Sequence, residues 1–151
     1  MLQIKSIKNL FIFVIPLVSL SFISCSSDDS DSDIKVTING IVVFDDGDDF
    51  NGDVDGDFIG TGGNGSRTFL WRNNLNRADY NADITATSEG TFRMVVKDAD
   101  GNVVLDKSLS GAVEPDSFDG VTSSGTSGIW SVTITLTSFK GDGSFSLSEG
   151  D

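Results

Sequence analysis

The sequence predicts an all-β fold, a jelly-roll-like antiparallel β-sandwich over residues 34–151. Apolar and polar residues alternate along several segments, as in Trp130, Val132, Ile134 and Leu136 against Ser131, Thr133, Thr135 and Thr137. Such alternation buries one face of a strand and leaves the other wet. Nowhere after residue 33 do apolar residues recur at helical spacing. Connectors rich in glycine and aspartate break the chain into short runs, which gives seven or eight strands and no helix.

The first two strands are expected at Ile34 to Ile38 and Ile41 to Phe44. After them comes "DDGDDFNGDVDGDF", Asp45 to Phe58, with aspartate at half its positions. Two such charges 4 Å apart repel by only about 1 kcal/mol in water, so a solvated loop tolerates the cluster. Within it "NGDVDG" places oxygen side chains at alternate positions before a glycine, the pattern of the first half of a calcium-binding loop. Asn51, Asp53, Asp55 and Asp57 are the candidate ligands, with Asp49 or a carbonyl completing the site. Gly62 stands where an EF-hand has its bidentate glutamate, so the expected affinity is in the weak extracellular range of about 10⁻⁴ to 10⁻³ M. The competing reading is an acidic, solvated loop.

The next strand, Thr68 to Arg72, lies in "RTFLWRNNLNR", where arginine and asparagine surround Trp71. Trp71 and Arg72 could stack on and hydrogen-bond a sugar ring. Phe69 and Trp71 share a strand face, however, and such a pair also reads as core. Alternation continues through Tyr80, Ala82, Ile84 and Ala86, and through Phe92, Met94 and Val96. "DADGN", Asp98 to Asn102, then reads as a tight hairpin in which Asp100-Gly101 supplies positive φ angles. It leads to a strand at Val103 to Leu109. The last two strands are expected at Trp130 to Thr137 and at Ser144 to Ser148, with Trp130 in the core.

The chain has no histidine and one cysteine among its 151 residues, with a net charge of -13. Imidazole-dependent enzymes are excluded. Lys5 and Lys8 precede an apolar run at Leu10 to Ile23, and the remainder keeps eight of the ten basic residues against all 23 acidic ones. A surface this acidic repels phosphate, which argues against a nucleic-acid partner. The apolar run is shorter than the roughly 20 residues that cross a bilayer as a helix, and its basic start matches a secretory signal peptide.

"FISC", Phe22 to Cys25, resembles the lipobox of bacterial lipoprotein precursors, with Ser24 and Ile23 fitting the pattern and Phe22 standing where leucine is commoner. The resemblance implies cleavage before Cys25, lipidation of its thiol and acylation of the new amino terminus. One acyl chain holds a protein marginally and two or more hold it firmly. A lone exported thiol also has no intramolecular disulfide partner. "SSDDSDSD", Ser26 to Asp33, is hydrophilic and like-charged, so it reads as a hydrated tether. It also resembles the acidic signal that sends lipoproteins of the Bacteroidota to the outer face of the outer membrane. The expected organisation is a signal peptide over 1–24, a lipidated cysteine and tether over 25–33, and the sandwich over 34–151. The alternative location is the periplasmic face.

"GIWSVTITLTSFKGDGSFSLS", Gly128 to Ser148, is similar to the closing strands of secreted jelly-roll domains, among them pre-peptidase and galactose-binding-like modules. The similarity carries no ligand residue across. Function therefore divides into two classes. The first is a lipid-anchored surface protein with a binding or structural domain, taking glycan or another surface protein and stabilised by calcium. The alternative is a surface glycan-processing enzyme, since glycoside hydrolysis needs only two carboxylates. No catalytic motif stands out among the loop aspartates, so the first class is preferred and no catalytic residue is assigned.

Overall fold

The computed structural model describes residues 34–44 and 46–150, and these residues form an all-β, sandwich-like fold. Ten strands follow in chain order: β1 (Ile34–Ile38), β2 (Ile41–Val42), β3 (Asp48–Asn51), β4 (Val54–Thr61) and β5 (Gly65–Asn73). They continue with β6 (Arg77–Ile84), β7 (Glu89–Lys97), β8 (Val103–Ser110), β9 (Ser117–Val121) and β10 (Gly128–Gly150).

One strand organises all the others. β10 is 23 residues long and belongs to both layers. Its first half pairs with β5 on one side and β7 on the other, and its second half pairs with β4 and β6. The first layer is completed by β3 beside β5 and β8 beside β7, and the second by β1 and β2 beyond β4 and β9 beyond β6. The sheet turns its corner between Thr137 and Lys140, where the register with β7 shifts and Ser138 takes a positive φ of 46°. A bulge with a left-handed residue bends a strand sharply, which is how one strand passes from one layer to the next. The loop after β4 caps the corner: Phe139 accepts from the Gly62 amide at 2.7 Å, and Asn64 accepts from the Ser138 amide at 2.7 Å.

The core between the layers is aromatic. Phe58 on β4 stacks on Phe92 on β7 at 4.4 Å, and Phe69 on β5 faces Phe145 on β10 at 6.1 Å. Trp71 and Trp130, opposite one another in the first layer, meet edge to face at 5.9 Å. Both indoles are fully buried, and each N–H donates to a carbonyl, Trp71 to Gly52 at 2.7 Å and Trp130 to Thr126 at 2.8 Å. Room for these rings comes from a missing side chain. Gly56 faces inward, where a Cβ would lie 2.2 Å from the Phe145 ring.

Most expected strands are present, with the following differences. The acidic segment expected as a loop is β3, a turn and β4. β3 also runs parallel to β5, unlike every other pair in the sheet. The two closing strands are one continuous β10, and a further edge strand, β9, pairs with β6. β6 ends at Ile84, so Ala86 is an exposed turn residue and not part of the inward row.

Candidate functional site

Cys25 and the tether lie outside the described residues. Of the four candidate calcium ligands, Asn51 ends β3 in the first layer, while Asp55 and Asp57 lie on β4 in the second, with Asp53 in the turn between. Asp55 and Asp57 alternate with buried Val54, Gly56 and Phe58, so they project from the outer face two residues apart. Among the described residues no group of three or more acidic or thiol side chains converges as a metal site. The backbone here is instead held by Asn39, which donates to the Asp53 carbonyl at 3.1 Å and accepts from the Asp55 amide at 2.8 Å.

The pair singled out for glycan contact is also divided. Trp71 is 0% exposed, with one partner in Trp130 and its N–H committed to Gly52, so it presents no face to a sugar. The inward parity it shares with Phe69 decides the matter in favour of core. Arg72 points outward from β5, between Ile129 of β10 and Asn51 of β3. The asparagines after it are structural: buried Asn73 bridges its own turn, donating to the Arg77 carbonyl at 2.9 Å and accepting from the Leu75 amide at 2.9 Å.

Register assembles a different constellation on the outer face of the second layer. β10 lies centrally there, and its outward residues Ser144, Ser146 and Ser148 are short. On one side β4 places Asp57 opposite Ser144 and Asp55 opposite Ser146. On the other, β6 places Asp83 opposite Ser144, Asn81 opposite Ser146 and Asp79 opposite Ser148. Serine floors and longer acidic walls make a furrow two strand spacings wide, about 9.5 Å. A depression of ≈ 270 Å³ lies in this furrow between Asp55, Asp57 and Asn81. A second of ≈ 650 Å³ continues it past Ile59 and Asp142, which face each other across β4 and β10. Ile59 is 51% exposed.

Charge on this face is mainly acidic. Its basic residues stand at the two ends, Lys35 beside Ile59 and Lys140 beside Thr61 where β1 starts, and Arg77 beside Gly150 where β6 starts. The furrow was legible in part, since "YNADI" and "GDGSFSLS" alternate. What the sequence lacked was the register that sets them against "DVDGD", because the pairing partners are distant in the chain.

Asp98 is the other acidic residue the structure distinguishes. It is 5% exposed and accepts from the backbone amides of Asp100, Asn102 and Thr126, and from the Asn102 side chain. The Thr126 amide above all holds its carboxyl below the usual carboxylate range, and the Asn102 and Asp100 donors add to this against the cost of burial. The Asp98–Asn102 hairpin is present, with positive φ at Gly101 but not at Asp100. Asp98 accepts through its carbonyl from the Gly101 amide at 3.0 Å, giving a turn followed by a left-handed glycine in place of two left-handed residues.

Comparison of the chain with protein-family models, with curated proteins and with solved structures finds no match.

Proposed function

We propose that this is a lipid-anchored surface protein whose sandwich serves as a binding module held away from the outer membrane. The lipobox-like "FISC" and the acidic strip after it support the anchor. The observation that carries the module reading is the polarity of the sandwich. β1 begins at Ile34 directly after the strip, and its first residue packs against the position of Gly65. Gly62 bonds Phe139 at the corner of β10, and Thr85 bonds Asp142 nearby, so this end gathers the connectors before β5 and β7. The opposite end carries the turns at Asn39, at Asn73 to Arg77 and at Asp98 to Asn102. A tether entering at one end leaves the opposite end and both outer faces open to a partner.

Neutral glycan and protein are the ligand classes this module would take. Carbohydrate contact, if made through Arg72, uses the outer face of β5 and not the Trp71 ring. Labelling of cells with a fatty-acid analogue tests the anchor: the wild type is expected to carry label and Cys25→Ala to lose it. Protease added to intact cells is expected to digest the sandwich, which places it on the surface. Equal labelling of wild type and variant would overturn the anchor. Turnover of any member of a glycan panel by the purified chain would replace binding with catalysis.

A further inference from the structure

We infer that the furrow along the second half of β10 is a docking groove for an extended, lysine-rich segment of a partner protein. The inference rests on the binding reading above and assigns it a surface and a chemistry.

The walls set the ligand's charge. Asp55 and Asp57 line one side and Asp79 and Asp83 the other, while Arg77, beyond Asp79 on β6, closes the row at the Gly150 end. The ion pair of Arg93 with Asp106, at 2.7 Å, lies on the other layer, on β7 and β8. Carboxylates accept hydrogen bonds and donate none. A ligand seated here must therefore supply donors, and positive charge satisfies both demands. Anionic ligands are repelled by the same walls.

The floor and the spacing set the ligand's shape. Serines along β10 leave a channel of strand width, long enough to take in the depressions at Asn81 and at Ile59. Aspartates two residues apart on β4 repeat every 6.6–6.8 Å or so, which is also the repeat of alternate side chains in an extended peptide. A peptide lying along the furrow with lysine at every second position matches that repeat. Half-exposed Ile59 offers an apolar surface for a lysine stem while the ammonium reaches Asp57 or Asp142. No aromatic ring is exposed in the furrow for a sugar to stack on, since the one ring lining the depression at Asn81, that of Phe145, is buried. That favours peptide over glycan at this surface.

The test measures binding of the full chain to a decapeptide of alternating lysine and serine, at low and at physiological ionic strength. Asp57→Asn with Asp83→Asn neutralises facing walls, and Asp49→Asn with Glu89→Gln removes the same charge elsewhere. Unchanged melting temperatures confirm that each variant is folded. The furrow pair is expected to weaken binding about tenfold and the control pair less than about twofold. An isomer with its lysines in one block is expected to bind more weakly than the alternating peptide. Equal weakening by both pairs would reduce the effect to net charge and overturn the groove, as would no binding at low ionic strength. Glycan retention by a chain that ignores the peptide would overturn the groove while leaving the binding reading in place. A chain that retains neither would overturn both.

Discussion

At Gly56 the absence of a side chain is a packing requirement. Glycine in a strand normally costs stability through backbone entropy, so alanine there would ordinarily help. Here the added Cβ would lie 2.2 Å from Phe145, a ring 2% exposed and enclosed by Phe58 and Phe69. Gly56→Ala is therefore expected to destabilise by about 1–3 kcal/mol, the range for overpacking a filled core. Thermal melting reads this out, and an unchanged or higher midpoint would mean the ring has room to move. Asp98 shows the same dependence on surroundings in its titration. Its folded pKa lies below the unfolded value, so it contributes stability above about pH 4 that fades as the pH falls through the folded pKa. Asp98→Asn keeps the shape, loses the charge and turns an amide toward the Thr126 and Asn102 donors. It is expected to lower the melting temperature at neutral pH and to narrow the gap from wild type as the pH drops below 4. A constant gap across that range would show that the carboxylate charge is not what the turn uses.

Among the elements, β4 is the one whose nature the sequence most disguises. Aspartate and glycine are poor strand formers, and "DVDGDFIG" carries several of both. The segment is a strand because Val54 and Phe58 are buried, because Gly56 gives place to Phe145, and because β1 and β10 satisfy its backbone on both sides. Those causes are tertiary, and no local reading reaches them. β1, β5 and β7 were legible because their own alternation specifies them. Placing the aspartates on a strand changes what they can do with calcium. Successive outward residues stand about 6.6–6.8 Å apart, whereas ligands of one ion must all come within 2.3–2.6 Å of it. Millimolar calcium is thus expected to shift the melting of wild type and of Asp53→Asn with Asp55→Asn by the same small amount. A larger shift in wild type alone would show that the turn at Gly52 rearranges to gather them. The edge positions have their own logic: β3 presents Asp48 and Asp49, and charged side chains on an edge oppose pairing with another chain.

For the whole molecule, the consequential feature is that both layers share one strand. Separate sheets packed face to face can loosen independently, but here β10 supplies central pairings to β5 and β7 with one half and to β4 and β6 with the other. Ring contacts between layers, Phe58 with Phe92 above all, add a second coupling. The sequence divided this strand in two because Lys140 to Gly143 has the composition of a turn. Continuity depends instead on the loop at Gly62 to Asn64 bonding across the corner. A defect in one half should therefore be felt in the other. Val132 is fully buried in the first half, paired with Phe69 and Val96. Val132→Ala removes two buried methyls, worth about 1–3 kcal/mol with the cavity term included. If the layers unfold as one unit, amide exchange through global opening should speed by the same factor in β4 and β6, which pair with the other half of β10, as in β5 and β7. Faster exchange confined to β5 and β7 would show that the corner at Ser138 uncouples the two halves, and that each layer opens by itself.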